Sequence, residues 1–312
     1  MLSKMFFFFF ILLTFNIDGY LYSEAVEPPT LSHESGFHSV AFDLSIRHKD
    51  PNVKIYYTLD GSMPDPKNLE GRTYQYVNEY SQPPSYPNYK FLNATYITKL
   101  YKEAIHIRNR SQDPNRLANI TTTIEESPSY FPKVRKRKGV DGDKLESEVN
   151  LYKGTPVRTV AVDANESMSE VVTKVFFIGE RSEFKLPVIN LTISEKELFS
   201  YDDGLFVPGA DYYKWLSSMP KKLGDPNHWR ANWKRKGVRL KADLFISDVN
   251  NFGVVDIPVD IKPHGNWSRA RRNKAIKIYP NKMYDVEGID YDLFRDGQRL
   301  GLMRVILRNA GN

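Results

Sequence analysis

The chain has 312 residues, 41% hydrophobic and 26% charged, which is ordinary for globular protein and enough for one to three domains. With no cysteine it has no disulfides, thiolate zinc sites or thiol nucleophiles, so stability rests on core burial. The net charge of +6 is modest. Its densest run, Lys133 to Lys138, is followed at once by Asp141, Asp143, Glu146 and Glu148, a mixed-charge loop that argues against nucleic-acid binding.

Lys4 followed by the apolar run Met5 to Phe15, with six Phe, predicts a signal peptide over residues 1–25. The run is shorter than the roughly 20 residues a bilayer span needs, and no later run is longer. A secreted or cell-envelope protein with no transmembrane span after cleavage is expected. The absence of cysteine suggests a bacterial source, in which case the six Asn-X-Ser/Thr sequons starting at Asn93, Asn109, Asn119, Asn165, Asn190 and Asn266 are chance.

The 19 Tyr and 18 Phe, among recurring β-branched strings, favour strands. Val40, Phe42, Leu44 and Ile46 alternate with polar residues, which predicts a half-buried strand. Val53, Ile55, Tyr57 and Leu59 predict a second, ending in the turn Asp60-Gly61-Ser62. Residues from about 66 to 150 carry weak apolar periodicity and read as a long, partly mobile insertion. Strands return at Val160 and Val162 and at Val171 to Ile178. Two strands on each side of an insertion predict an antiparallel, Ig-like β-sandwich over residues 26–179.

After a polar linker at 180–186, Leu186 to Ile193 predicts a strand, and Glu195 to Phe199 a short helix capped by Ser194. Tyr201 to Val207 reads as a turn and strand, and Trp229 to Gly237 is basic and aromatic. Val238 to Ile246 and Val255 to Ile261 alternate, Ile276 and Ile278 continue after the turn at His264 to Arg269, and Leu302 to Leu307 alternates again. Residues 186–312 are therefore a second strand-rich unit.

Two resemblances sharpen this reading. Ile55-Tyr56-Tyr57-Thr58-Leu59-Asp60-Gly61-Ser62-Met63-Pro64, with Val157 to Asp163, resembles the signature strand, turn and closing strands of chitobiase/β-hexosaminidase C-terminal-type sandwich domains. The insertion is larger than that family's usual excursion. Leu186 to Ile189, Leu198-Phe199, Asp203-Gly204, His264-Gly265-Asn266-Trp267-Ser268-Arg269, Asn273 to Tyr279 and Leu307-Arg308-Asn309 resemble, in order, the opening of a CotH-type domain, named for spore coat protein H. That family has a protein-kinase-like fold. The expected architecture is mostly β: a sandwich, then an incomplete α+β kinase-like unit whose catalytic acids would lie beyond residue 312.

The CotH resemblance implies ATP and Mg²⁺ as cofactors of a full-length parent, and a cell-surface or coat protein as phospho-acceptor. Kinase-like transfer needs a cation on the nucleotide phosphates. Lys274 shares the strand parity of Ile276 and Ile278 and is the first choice for nucleotide binding, with Arg269 and Lys277 next. No catalytic acid and no metal ligand is assigned. His264 reads as a turn-packing residue, and Asp290, Asp292 and Asp296 as surface turn residues. The alternative is a non-catalytic surface or glycan-binding adhesion protein. In it, tyrosines of the insertion (Tyr74, Tyr76, Tyr80, Tyr86, Tyr89, Tyr96, Tyr101) would contact carbohydrate, although packing of the excursion is the simpler role.

Overall fold

The computed structural model describes residues 26–77, 80, 90–117, 120, 122–124, 151–218, 228–247, 255–271, 274–281, 286–292 and 300–308. The expected signal peptide over residues 1–25, the charged run at 133–148, Tyr86, Tyr89 and Asp296 lie outside them. The described chain is mostly β, with several sheets, a curled half-barrel and few helices.

The first unit opens with β1 (Thr30–Leu31), β2 (Gly36–His38), β3 (Phe42–Leu44), β4 (Ile46–Arg47) and β5 (Lys54–Thr58). The single strand expected across Val40 to Ile46 is broken at Ser45. β3 pairs with one partner and β4 with β1, and Val40 is exposed. Next come β6 (Arg72–Val77), β7 (Phe91–Tyr96), β8 (Lys99–Leu100) and β9 (Ile105–Ile107), then β10 (Thr155–Val162) and β11 (Val172–Ile178). One sheet has the order β2-β11-β10-β5-β8, antiparallel except for the β11–β2 pair, and β9 pairs with β3. The expected insertion therefore contributes to the sandwich itself: β8 extends one sheet and β9 belongs to the other layer.

β10 is the central strand, and it is buried almost throughout, including Thr155, Arg158 and Thr159, because both of its faces are covered. Val157 packs with Leu44, Ile46, Ile105, Ile107, Phe176 and Ile178, while Val160 and Val162 pack with Tyr56 on the other side. The alternation expected for β5 holds on one face, where Ile55, Tyr57 and Leu59 meet the sandwich core. Tyr56 and the fully buried Thr58 have the opposite parity and point the other way.

The second unit contains β12 (Val188–Thr192), α1 (Glu195–Phe199), α2 (Gly209–Ser217), β13 (Leu240–Ser247), β14 (Val255–His264), β15 (Ala275–Pro280), β16 (Ile289–Tyr291), β17 (Leu300–Leu302) and β18 (Val305–Leu307). Five strands form one antiparallel sheet in the order β12-β13-β14-β15-β18. Register places Leu240, Ala242, Leu244 and Ile246 beside Val255, Val259, Ile261 and Ile278 on one buried face. Ser194 caps α1 by position but makes no side-chain bond.

α2 was not anticipated. Its buried residues Tyr212, Trp215 and Leu216 have helical spacing, and Asp211 sits favourably in its first turn. These side chains join Trp229 and Trp233 in a second core, which is completed by Val77, Tyr80 and Ile124 from the excursion. Tyr201 also donates its backbone N–H to Gln75 O at 2.8 Å, and Tyr74 OH donates to Glu195 Oε2 at 3.2 Å. The described part of the excursion is thus a strap between the two units.

The units also meet directly. Phe177 and Val175 of β11 pack on Phe245 of β13. Arg158, 3% exposed, donates to Gly61 O at 2.8 Å, to Thr192 O at 2.9 Å and to Asp243 Oδ2. Asp60 Oδ1 accepts from Ser62 N at 2.9 Å, which fixes the turn, and Gly61 has φ +78°. A Cβ on Gly61 would lie 2.4 Å from Ile193 O of the second unit, so only glycine fits this approach.

Candidate functional site

The segment between α2 and β13 is fastened by a fully buried Asn232. Its amide donates to Tyr201 O at 3.1 Å and Asp202 O at 3.2 Å, and its Oδ1 accepts from Asp211 N at 3.1 Å. Arg235 forks onto Asp211, with Nε at 2.8 Å and Nη2 at 3.0 Å, so its charge is spent on structure. This network sets Trp233, Lys234 and Lys236 against the end of β14 and the 3-10 turn Trp267–Ala270.

A cavity of about 200 Å³ opens there, lined in part by Trp233, Lys236, Gly237, Lys262 and Arg269. Arg269 is its organising group. Nη1 donates to Trp233 O at 3.2 Å, while Nε is buried without a hydrogen-bond partner. Burial lowers the pKa of this guanidinium from its ordinary value. A half-buried guanidinium with an unused donor, in a cavity ringed by further cations, favours an anionic oxygen.

Beyond the wall formed by Lys234 and Arg235 lies a wider depression of about 910 Å³, bordered by Trp215, Trp229, Lys214 and Arg230. It offers aromatic and cationic surface within reach of the smaller cavity.

The three expected nucleotide-binding residues are placed differently from one another. Arg269 lines the cavity. Lys274 lies just ahead of β15 rather than in step with Ile276 and Ile278, and its amine is enclosed. Nζ donates to Thr122 O and, at 2.8 Å, to Arg271 O, and sits 4.4 Å from the Trp233 ring centroid. Desolvation drives its pKa well below the ordinary lysine value. Trp233 joins the two residues, since its carbonyl holds Arg269 and its ring carries Lys274. Lys277 lies on the opposite sheet face, cross-strand from Lys262.

His264 is partly exposed, and its pKa is lowered by burial and then by Lys277, Arg308, Arg269 and Lys262. It is a neutral ring among cations rather than a base aligned by a carboxylate. Among the described residues no group of three or more His, Asp or Glu side chains is placed to hold a metal ion. Among them, too, no helix is long and apolar enough to cross a membrane.

Sequence reasoning missed Lys262 and Lys236. Lys262 was legible as the polar position alternating with Ile261 and Pro263 on β14. Lys236 belongs to a stretch recognised only as basic and aromatic.

No curated protein and no solved structure matches the chain. A family model described as Fn3 associated matches residues 44–176, a span running from the end of β3 into β11. Residues 44–176, most of the sandwich unit, are thus an Fn3-associated domain.

Proposed function

We propose that residues 186–312 are the nucleotide-facing sheet of a CotH-type, kinase-like unit in a secreted parent protein. In this reading the Fn3-associated domain is its chitobiase/β-hexosaminidase C-terminal-type accessory sandwich. The observation that carries it is Arg269, a half-buried guanidinium with an unsatisfied Nε in a cation-lined cavity. The antiparallel five-stranded sheet with few helices is compatible with a kinase-like N-lobe.

The cavity volume limits what enters. Small-molecule sites usually run to about 300–1,000 Å³, so about 200 Å³ admits a phosphate end and not a whole nucleotide. The adenine would lie in the wider depression near Trp215 and Trp229. Arg269 and Lys262 would bind phosphate oxygens, and Lys236 would add charge at the mouth. Lys274 positions Trp233, and Lys277 contributes only its field. No transfer step is assigned to the described residues. Phosphorylation of a surface or coat protein belongs to the parent in this reading, and the described residues contribute nucleotide binding to it.

Isothermal titration of the full chain with ATP, ADP and inorganic tripolyphosphate tests this. Arg269→Ala removes a charged hydrogen bond worth about 1.5–3 kcal/mol, so affinity for ATP should fall about tenfold or more. Equal affinity in both proteins, or no heat from any of the three ligands, would sink the proposal. The adhesion alternative through the tyrosine-rich excursion is less favoured, because Tyr74 and Tyr80 are buried and serve as packing.

A further inference from the structure

The face of the second sheet turned away from its core is shared unequally. The Fn3-associated domain covers its β12–β13 side through Phe245, Asp243 and Asp256. Toward β18 the face carries cations gathered around one ring. The Arg239 guanidinium lies 4.0 Å from the Tyr279 ring centroid, Lys262 Nζ 5.5 Å, the Arg304 guanidinium 5.8 Å and Lys277 Nζ 5.9 Å. These residues sit on or beside four adjacent strands, β13, β14, β15 and β18. Three strand spacings of about 4.8 Å make a strip about 14 Å wide.

The strip is not internally neutralised. Asp260 is the acid beside it, 3.7 Å from Arg239 and also accepting from Asn281 at 3.1 Å. Among the described residues no carboxylate pairs with Lys262, Lys277 or Arg304. Arg239 and Arg304 are exposed, and Lys262, Lys277 and Tyr279 are half-buried. The Tyr279 π-face draws the four cations together despite their mutual repulsion. Stacked guanidinium groups keep their N–H edges free for planar, two-oxygen acceptors.

We propose that this strip binds an acidic polysaccharide, a carboxylate-bearing sugar polymer whose charges fall on Arg239, Lys262, Lys277 and Arg304. Charge complementarity selects a polyanion. The two arginines favour carboxylates, and the exported character expected from Met5 to Phe15 favours a surface polymer over nucleic acid. The strip lies apart from the Arg269 cavity, with Lys262 at their shared edge, and the proposal does not need the nucleotide reading.

The test is binding of the full chain to polygalacturonate at increasing salt, with neutral dextran and single-stranded oligo(dT) as comparisons. Polygalacturonate should bind, weaken with salt, and lose on the order of tenfold in affinity with Lys262→Gln/Lys277→Gln. Tyr279→Leu keeps every charge but releases the cluster, so it should weaken polygalacturonate binding several-fold while circular dichroism stays unchanged. Tighter binding to oligo(dT) than to polygalacturonate would overturn the proposal in favour of nucleic acid. Equal binding to dextran, no binding at physiological salt, or a Tyr279→Leu variant that folds and binds as wild type would also overturn it.

Discussion

Replacing Arg158 by Met should uncouple the two units. Arg158 donates to atoms on both sides of the boundary, namely Gly61 O and Met63 Sδ on one and Thr192 O and the Asp243 carboxylate on the other. The methionine keeps most of the apolar stem but leaves two carbonyls uncapped, and Asp243 retains only Thr173 Oγ1 at 2.9 Å. Breaking one side of a buried pair costs about 3–5 kcal/mol. Asp243 is 24% exposed, so water recovers part of this and the lower end, about 3 kcal/mol, applies. That is a large share of the roughly 5–15 kcal/mol that holds a domain folded. All four tryptophans lie in the second unit, so fluorescence reports that unit while far-ultraviolet circular dichroism reports both. In urea the two signals should coincide for the wild type and separate for Arg158→Met. Arg158→Met/Asp243→Leu should recover part of the loss, because the stranded carboxylate is gone. A loss below about 1 kcal/mol with coincident transitions would refute the coupling role.

Gly61→Ala should cost about 2 kcal/mol or more in urea unfolding, since φ +78° and the contact with Ile193 O both oppose a side chain; a loss under about 0.5 kcal/mol would contradict this. Lys274 makes stability depend on pH at the alkaline end. Its folded pKa lies well below 10.5, so in the range between the two values the unfolded chain binds a proton that the folded chain refuses. Stability relative to Lys274→Met should therefore rise as pH climbs from 8 toward 10.5, and a pH-independent difference would show a normally charged amine. His264 acts at lower pH. With its folded pKa below 6.5, its contribution is intact above 6.5 and declines as pH falls through the folded value. Its NMR titration should lie below that of a free histidine and move up in Lys277→Gln.

Much of the strand pattern was legible. Val255 to Ile261 and Leu240 to Ile246 alternate because one face of their sheet is buried, and alternation reports that condition directly. In β10 the residues themselves showed alternation only at Val160 and Val162, since a strand covered on both faces loses its alternation; the rest came from the resemblance of Val157 to Asp163. The helix α2 was missed because it is nine residues long, begins at a glycine and has no side-chain cap. β8 and β9 are two and three residues long, too short for any period to show. Within the site, Arg269 was nominated from its place after a glycine turn, and it does line the cavity. Lys274 was nominated from parity, but parity counts only inside a strand and β15 starts one residue later. What decided its environment was Trp233, forty-one positions earlier, a contact that local pattern cannot reveal.

The second core takes Val77, Tyr80 and Ile124 from chain made long before its tryptophans, while β10 and β11 of the first unit are made in between. During synthesis the sandwich core is complete once residue 178 is made. The early apolar segments at Val77, Tyr80 and Ile124 still wait for Trp215 to Trp233, about 90 residues or more further on. Such interleaving delays burial of sticky surface and links the fate of both units to one slow closing event. A nascent chain of this protein is thus most vulnerable to aggregation in the interval between its two halves, and a chaperone that held the segment around residues 77–124 would protect both.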